Sequence, residues 1–347
     1  MAAPKNIPED DLIRTVTLDV TEHPRDLSRL YCGRYGISRV TANRFIQRLE
    51  RDGWLSRSGP STHPVYSPGY RRRRSGVFPL VGLDENQLWE QSFSRYVTLP
   101  PNVRNIVHHG FTEMVNNAID HSQGTHVFVL LDQSEKRVAL AVSDDGIGIF
   151  KKITDALQLV DPRQAIFELS KGKLTTDPSK HSGEGIFFTS RMFDGFSIEA
   201  NHLNYSHIES AEHDWLEDDK NTFPDGSAVS MEISLDSTRT SAQVFEQYMN
   251  APQDYGFNKT IVPMKLAQYG DEQLVSRSQA KRLIARFDRF KVVVLDFEGV
   301  AEVGQAFADE LFRVYARAHP DVELVPVHLS EQVERMWLRA VNSDIGT

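Results

Sequence analysis

The first part of the chain, residues 1–78, places its apolar residues at the spacing of helices. Two such stretches, 24–35 and 40–52, are separated by Gly36, a residue type that ends helices at little steric cost. Ser38 is then expected to cap the second helix. Gly53 follows the second stretch, and a Trp-Leu pair then opens a hairpin rich in Ser, Gly and Pro. Because helix, tight turn, helix and hairpin is the order of a winged helix-turn-helix, we predict that fold for this part.

The middle part, residues 79–245, mixes helical and strand periodicity. The pattern predicts helices over 103–122 and 185–193, and strands over 125–132, 137–143, 196–200 and 228–235. The long stretch 150–182 has a mixed character. The stretch 209–226 is strongly acidic, so we predict a solvated loop there.

In the last part, residues 246–347, predicted strands and helices alternate. The strands are expected over 260–267, 292–297 and 322–327, and the helices over 276–287, 304–317 and 330–341. Such alternation predicts an α/β unit. We therefore expect an α+β protein with three domains, at residues 1–78, 79–245 and 246–347.

Composition narrows the class of protein. The chain has 347 residues and one cysteine, Cys32, so it can form neither an intramolecular disulfide nor a cysteine-based zinc site. No apolar run reaches the length of a membrane span, and residues 1–11 are polar and acidic. These features predict a cytoplasmic protein without membrane contact.

Charge is distributed unevenly along the chain. Residues 1–78 carry 14 Lys and Arg against 8 Asp and Glu, whereas residues 79–347 carry 25 against 40. A basic module joined to an acidic body predicts contact with nucleic acid through the N-terminal domain.

The second predicted helix of that domain supplies side chains suited to DNA. Arg and Asn can read guanine and adenine edges through paired hydrogen bonds, and Thr and Arg also hold phosphates. The candidates are Arg39, Thr41, Asn43, Arg44 and Arg48, with Arg57 and the run Arg71–Arg74 following the phosphate backbone. We expect the run to be a linker or the end of the wing. The alternative is a winged helix that binds protein.

A polar stripe marks the helix predicted over 103–122, in the motif "FTEMVNNAIDHS". Glu113, Asn117 and His121 are four residues apart and therefore share one face. A carboxylate there can polarise a water molecule. An amide oxygen one turn further can complete the octahedral oxygen shell of Mg²⁺.

Two glycine motifs follow. In "SDDGIGIF", Asp144 ends a strand and can accept the exocyclic amine of adenine, while Gly146 and Gly148 allow a sharp turn. In "HSGEGIFFTSRMF", Gly183 and Gly185 precede a helix, whose first N–H groups can bind phosphate. Each motif alone is weak, but the three motifs in this order indicate a nucleotide site.

In this order and spacing, the motifs resemble the GHKL superfamily of ATPases, which includes DNA gyrase, mismatch-repair ATPases, histidine kinases and anti-sigma serine kinases. The resemblance implies a Bergerat fold, an α/β sandwich that binds MgATP between its sheet and a lid. It implies Glu113 as the catalytic base, Asn117 as the Mg²⁺ ligand and Asp144 as the adenine-binding aspartate. The other ATP-binding residues that it implies are Asp120, Gly146, Gly148, Gly183, Gly185 and Ser227.

The resemblance also assigns the ATP lid to residues 150–182. Three lysines of this stretch, Lys171, Lys173 and Lys180, are then expected to reach the phosphates, and Lys173 is taken as an ATP ligand. The alternative is a solvated loop with no contact to nucleotide.

The C-terminal segment "VVVLDFEGVAEVGQAFADELF" resembles the STAS-like domain of unknown function found fused to such ATPases. STAS domains are phosphorylated on serine by anti-sigma kinases, but Gly304, Gln305 and Ala306 occupy the matching place here and carry no hydroxyl. The resemblance therefore implies a module that binds a protein partner or transmits a signal. Ser276 is expected to cap a helix.

These features leave three functions open. The first is an ATP-binding regulator, of transcription for example, that slowly hydrolyses MgATP and couples its nucleotide state to DNA or partner binding. The second is a protein serine kinase of the anti-sigma type that acts on a separate partner. The third is an interaction protein in which ATP is a structural ligand. Formation of a homodimer is expected only by analogy with the fold class.

Overall fold

The structure is a computed structural model, which describes residues 9–174, 183–208, 215–218, 225–249, 257–268 and 273–342. The chain divides into two compact units. One is Met1–Gly146 with Ala228–Thr238, and the other is Ile147–Ser227 with Arg239–Thr347. Each unit therefore contains residues from two of the predicted domains.

The N-terminal half of the chain alternates groups of helices with antiparallel strands. Its elements are α1 Glu9–Glu22, α2 Leu27–Tyr35, α3 Arg39–Arg51, β1 Leu55–Ser58, β2 Val65–Pro68, β3 Arg72–Pro79, α4 Glu85–Ser92, α5 Pro101–His121, β4 His126–Gln133 and β5 Arg137–Asp144. A 3₁₀ turn, Ser94–Tyr96, follows α4.

The rest of the chain continues with mixed elements and ends in a helix. From residue 147 to residue 247 they are α6 Ile149–Leu157, α7 Arg163–Ser170, α8 Gly185–Met192, β6 Gly195–Ala200, β7 Leu203–Ile208, β8 Trp215–Asp218, β9 Ser227–Ser234 and α9 Ser241–Gln247. The C-terminal elements are β10 Lys259–Pro263, α10 Arg277–Ile284, β11 Val292–Asp296, α11 Gln305–Asp309, α12 Ala316–Ala318, β12 Glu323–Val327 and α13 Glu331–Asn342. Across the described ranges, none of these helices is both long enough and apolar enough to cross a bilayer.

The mixed helix and sheet class predicted from the sequence is confirmed, but three segments differ in detail. Trp215–Asp218 forms β8, inside the acidic stretch predicted to be a loop, because its backbone pairs with β7. The strand predicted over 260–267 ends at Pro263 and continues as a 3₁₀ turn. The helix predicted over 304–317 is interrupted by a π-helical segment, Glu310–Tyr315.

The N-terminal helices and the β1–β2 hairpin share one apolar core. Val16, Tyr31 and Ile46 contribute from α1, α2 and α3, and all three side chains are almost completely buried. Gly36 ends α2 in the left-handed region at φ 63°, and Ser38 caps α3 by accepting the Thr41 N–H. The break and the cap predicted from the sequence are therefore both present.

A buried carboxylate ties the first two helices of this core together. Asp19 is almost completely buried and accepts two hydrogen bonds of 2.6 Å from the Arg34 guanidinium. This bidentate geometry raises the pKa of Arg34, because the hydrogen bond to Asp19 stabilises its charged form. The pair therefore links α2 to α1.

The run Arg71–Arg74 is neither a linker nor the end of a wing, so that prediction was wrong. Arg72 to Arg74 begin β3, which pairs with β4 along its whole length. The Arg73 side chain forms an ion pair with Asp132, and its backbone N–H donates to the Thr17 hydroxyl. The run therefore joins the N-terminal helices to the following sheet, and its residues make contacts within the protein.

In the first unit, four strands lie side by side in the order β3-β4-β5-β9. The β3–β4 and β4–β5 pairs are antiparallel. Burial alternates along β4, where Val127, Val129 and Leu131 are buried, so one face of the sheet carries the core. Helix α5 packs against β5 and contributes a long buried side to this core.

In the second unit, two separate strand groups have different character. Strands β6, β7 and β8 follow one another as antiparallel neighbours. Strands β10, β11 and β12 are parallel, and helices intervene between them along the chain. The α/β unit predicted for the C-terminal part is therefore present.

Candidate functional site

Helix α5 carries the first motif on the polar side of an otherwise buried helix. Phe111, Met114 and Val115 are buried, whereas Glu113 and Asn117 are partly exposed one turn apart. Asp120, in the last turn, is exposed. The structure therefore places a carboxylate and an amide on one partly exposed stripe, as the spacing predicted.

The donor atoms of this stripe suit a hard cation. The Asn117 amide nitrogen lies 3.9 Å from the Met114 sulfur, so this contact does not involve the amide oxygen. Carboxylate and amide oxygens are the ligand types that Mg²⁺ takes, usually together with phosphates and water. Glu113 and Asn117 thus fit the role of holding Mg²⁺ and a water next to a nucleotide.

In the turn after β5, two adjacent aspartates, Asp144 and Asp145, have different hydrogen-bond partners. Asp145 accepts the backbone N–H groups of Thr125 and His126, at 2.6 and 2.9 Å, and the Thr125 hydroxyl. Several hydrogen bonds lower the pKa of Asp145, and the one from the His126 backbone N–H lowers it most. Asp144 accepts the Gly146 N–H at 2.9 Å. Asp145 therefore builds the turn, while Asp144 stays at the end of the strand, where the motif predicts contact with adenine.

Two glycines of the second motif are required by close packing. A Cβ on Gly146 would lie 2.1 Å from the Ser122 carbonyl oxygen. Gly148 has φ 83°, in the left-handed region, and a Cβ there would lie 2.3 Å from the Asn201 side chain. Only glycine fits at both positions, so the local structure accounts for this part of the motif.

Two further residues, Asn201 and Ser227, form hydrogen bonds with the backbone at the start of α6. The sequence motifs did not point to Asn201. Asn201, in the β6–β7 turn, accepts the Lys151 N–H at 2.9 Å and donates to the Ile147 carbonyl at 3.0 Å. The Ser227 hydroxyl accepts the Ile149 N–H at 2.9 Å. Ser227, which the resemblance implies as an ATP ligand, therefore binds the first turn of this helix in the structure. An Asn in a tight turn was the one available signal for Asn201.

The first glycine of the third motif has a backbone conformation that favours glycine. Gly183 has φ 73°, and its carbonyl accepts the Leu174 N–H at 3.0 Å. A Cβ on Gly183 would lie 2.4 Å from the Leu174 backbone. Gly185 is the first residue of α8, which places the backbone N–H groups of this turn at a helix start.

The two lid lysines within the described residues contact the C-terminal domain. Lys171 Nζ donates to the Ala285 carbonyl at 3.0 Å, and Lys173 Nζ donates to the Arg289 carbonyl at 2.9 Å. Both were expected to reach phosphates, and the structure gives their ammonium groups these other partners. Lys180 lies outside the described residues.

Lys171 is the centre of a buried ion cluster, formed by Glu168, Lys171 and Arg286. Lys171 is completely buried, and its ammonium lies 2.5 Å from Glu168 Oε1. Arg286 lies 2.7 Å from Glu168 Oε2 and also donates to the Gly172 carbonyl at 2.7 Å. Burial lowers the pKa of Lys171 to about 8 and also lowers that of Arg286.

The buried ion cluster connects the lid stretch to the C-terminal domain. Glu168 and Lys171 belong to α7 and its end, whereas Arg286 follows α10. Lys171 also lies over the rings of Phe167 and Phe287, at 4.5 and 5.5 Å. Separating these elements would expose paired charges that now satisfy each other.

The outer face of α3 carries the predicted DNA-binding side chains. Ala42, Ile46 and Leu49 are buried and fix this helix on the core. Arg39, Asn43, Arg44 and Arg48, together with Arg57 in β1, are exposed, whereas Thr41 is partly buried and its hydroxyl lies 2.9 Å from that of Ser38. Arg48 also lies 3.6 Å from the Asp52 carboxylate.

The start of α11 is the place that matches the phosphorylated serine of STAS domains, and in this chain it carries Gly304, Gln305 and Ala306. Gly304 caps α11, and its N–H donates to the Leu274 carbonyl at 2.8 Å. A Cβ on Gly304 would lie 2.7 Å from Val275 Cα. Ser276 caps α10 in a capping box with Gln279, as predicted.

Two families match separate parts of the chain. Residues 102–206 match the family described as histidine kinase-, DNA gyrase B- and HSP90-like ATPases. Residues 279–334 match a STAS-like domain of unknown function. No curated protein matches the chain. The chain thus combines a GHKL-type ATP-binding domain with a C-terminal STAS-like domain, which confirms that part of the prediction.

We expect Gly148→Ala to weaken ATP binding by at least about tenfold, because the new Cβ meets Asn201 and φ is unfavourable for alanine. Gly195→Ala is the matched control, since a Cβ there meets nothing within 4 Å. Equilibrium binding of labelled ATP measures both. Equal affinity in the two variants would show that this turn plays no part in binding.

We expect the stability advantage of wild type over Lys171→Met to grow with pH above about 8. Lys171 has a pKa of about 8 in the folded protein, against the ordinary lysine value of 10.5 in the unfolded chain, so the unfolded chain binds more protons between these values. The free energy of unfolding then rises with pH by up to about 1.4 kcal/mol per pH unit.

Urea unfolding of both proteins at several pH values between about 7 and 10 measures this difference. Lys281→Met, which removes a lysine that is 67% exposed, is the control and should follow wild type. A wild-type advantage over Lys171→Met that stays constant with pH would contradict the burial of the ammonium.

Proposed function

We propose that the chain is an ATP-responsive regulator that hydrolyses MgATP slowly and passes its nucleotide state to the STAS-like domain and to bound DNA. The observation that carries this proposal is the buried ion cluster. It joins α7, in the stretch assigned to the ATP lid, to residues at the start of the matched STAS-like region. A change in the position of α7 must therefore either move the STAS-like domain or break buried ion pairs.

The residues proposed for nucleotide chemistry have separate tasks. Bound Mg²⁺ would supply charge neutralisation at the phosphates, and Asn117 would be its protein ligand. Glu113 would accept the proton of the attacking water, and Asp144 would accept the amine of the base. Gly146, Gly148, Gly183 and Gly185 would let backbone N–H groups approach the nucleotide.

The proposal for DNA rests on the exposed face of α3. Arg39, Asn43 and Arg44 are exposed there, while the opposite face of the helix is buried. Exposed guanidinium groups bind phosphates and guanine edges, and the counterions that they release from DNA favour this binding at low salt. We propose that α3 is the helix that contacts the DNA.

The first experiment follows γ-labelled ATP with Mg²⁺, measuring both free phosphate and label on protein. We expect slow release of free phosphate by wild type, lost by at least about a hundredfold in Glu113→Ala and in Asn117→Ala. Glu135→Ala, which changes an exposed acid in the β4–β5 turn, is the control and should behave as wild type.

Each other outcome of this experiment selects a different function. Label transferred to protein would favour a serine kinase acting on a separate partner. Bound ATP without phosphate release would reduce ATP to a structural ligand and remove the proposed catalytic role of Glu113.

A second experiment measures the affinity for a short DNA duplex, with and without a non-hydrolysable ATP analogue. We expect wild-type affinity to change with the analogue and to fall with salt. In Arg39→Ala with Arg44→Ala, the slope of log affinity against log salt should decrease by about 2. In Arg286→Gln, affinity should persist but no longer respond to the analogue.

Arg317→Ala, an exposed arginine of α12, is the control for both effects. Affinity that is unchanged when the two α3 arginines are removed would exclude α3 as the DNA-binding helix. A response to the analogue that survives in Arg286→Gln would exclude the buried ion cluster as the route of coupling.

A further inference from the structure

The STAS-like domain contains an open cleft of about 540 Å³ among four of its helical segments. Three arginines line it, and we call it the arginine cleft: Arg277 from α10, Arg313 from the π-helical segment and Arg339 from α13. Among the described residues of the lining, Asp309 is the acidic one. Met336 and Ala340 form an apolar part of the wall.

The lining of the arginine cleft contains more positive than negative groups. Asp309 binds Arg313 through two hydrogen bonds of 2.5 and 2.7 Å and lies 3.5 Å from Arg277. These contacts lower the pKa of Asp309, chiefly through the hydrogen bond from Arg313, so its carboxylate is charged at neutral pH. Three guanidinium groups therefore share the lining with one carboxylate, which gives the cleft a positive character.

This positive character is local, because the surrounding domain is acidic. Residues 246–347 carry 12 Lys and Arg against 15 Asp and Glu. The three arginines that line the cleft come from separate helical segments. Arg277 is 63% exposed, so folding of the domain does not depend on burying its charge.

The chemistry of the cleft selects a class of ligand. Planar guanidinium groups bind phosphate oxygens through paired hydrogen bonds, more specifically than lysine does. The volume lies within the range of small-molecule sites and exceeds that of a phosphate ion alone. Met336 and Ala340 can contact the remainder of a ligand whose anionic end lies on the arginines.

We propose that the arginine cleft binds a small phosphate ester, with the phosphate on Arg277 and Arg339 and the organic part against Met336 and Ala340. Arg313, which is held by Asp309, also lines the site. The described lining contains none of the residues proposed to bind ATP, so the site is a second one. The STAS-like domain would then respond to a metabolite as well as to the ATP-binding domain.

Phosphorus NMR titrations of the full chain test this site, with inorganic phosphate, ribose 5-phosphate and glycerol 3-phosphate as probes, none of which carries the adenine base that the proposed ATP site binds. We expect at least one ester to bind at least about tenfold more tightly than inorganic phosphate. The double variant Arg277→Gln with Arg339→Gln should weaken that binding by at least about tenfold. Arg277→Lys should retain more affinity than Arg277→Gln, because lysine keeps the positive charge. It should bind less tightly than wild type, because lysine cannot form the paired hydrogen bonds.

Arg335→Gln is the matched control, because Arg335 lies one turn before Arg339 on α13 and does not line the cleft. It should bind the esters within about twofold of wild type. Circular dichroism verifies that each variant is folded, as expected for substitution of exposed arginines. The proposal is overturned if no ester saturates the protein below about 10 mM, or if esters bind no more tightly than inorganic phosphate. Ester binding that survives in the double variant, or is equally lost in Arg335→Gln, overturns it as well.

Discussion

The burial of one ammonium group, that of Lys171, is a strong constraint on the second unit. A charged amine without exposed surface is tolerated only when its neighbours replace the water that it has lost. Glu168, the Ala285 carbonyl and two aromatic rings do so here, and Arg286 binds the second oxygen of the same carboxylate. Because these partners come from both sides of the domain junction, α7 and the residues after α10 must order together. The C-terminal domain therefore shares a buried ion cluster with α7, which lies in the stretch that the resemblance assigns to the ATP lid.

Polar side chains near the glycine motifs likewise form hydrogen bonds that backbone groups would otherwise lack. In the turn after β5, three hydrogen bonds commit Asp145 to structure, and its neighbour Asp144 remains at the strand end. At the start of α6, Asn201 and Ser227 satisfy backbone groups that the helix itself leaves without partners. Fixed backbones of this kind keep a binding site in shape before its ligand arrives, which lowers the cost of ordering on binding.

Much of the fold and of the candidate site could be predicted from the sequence because the deciding signals were local. Helical spacing, Gly36 and Ser38 placed α2 and α3, and the spacing of Glu113 and Asn117 placed them on one face of α5. The failures involve partners distant in sequence. Lys171 meets residues more than 110 positions away, and Arg73 pairs with Asp132 across two strands. A run of arginines or a lysine in a polar stretch looks solvated in sequence, and only the folded chain supplies the carboxylates and carbonyls that bind it.

The packing around Gly304 sets a limit on how this domain could be altered. The absence of a side chain there lets the start of α11 approach the Val275 backbone to a distance that excludes even a methyl group. A serine introduced at this position would displace the loop before α10 instead of presenting a hydroxyl to a kinase. Conversion of this domain into a phosphoacceptor, by mutation in nature or in the laboratory, would therefore require a prior change at Val275 or the use of a neighbouring position such as Ala306. At position 304 itself the order of substitutions is constrained by sterics, because a serine there fits only after the change at Val275.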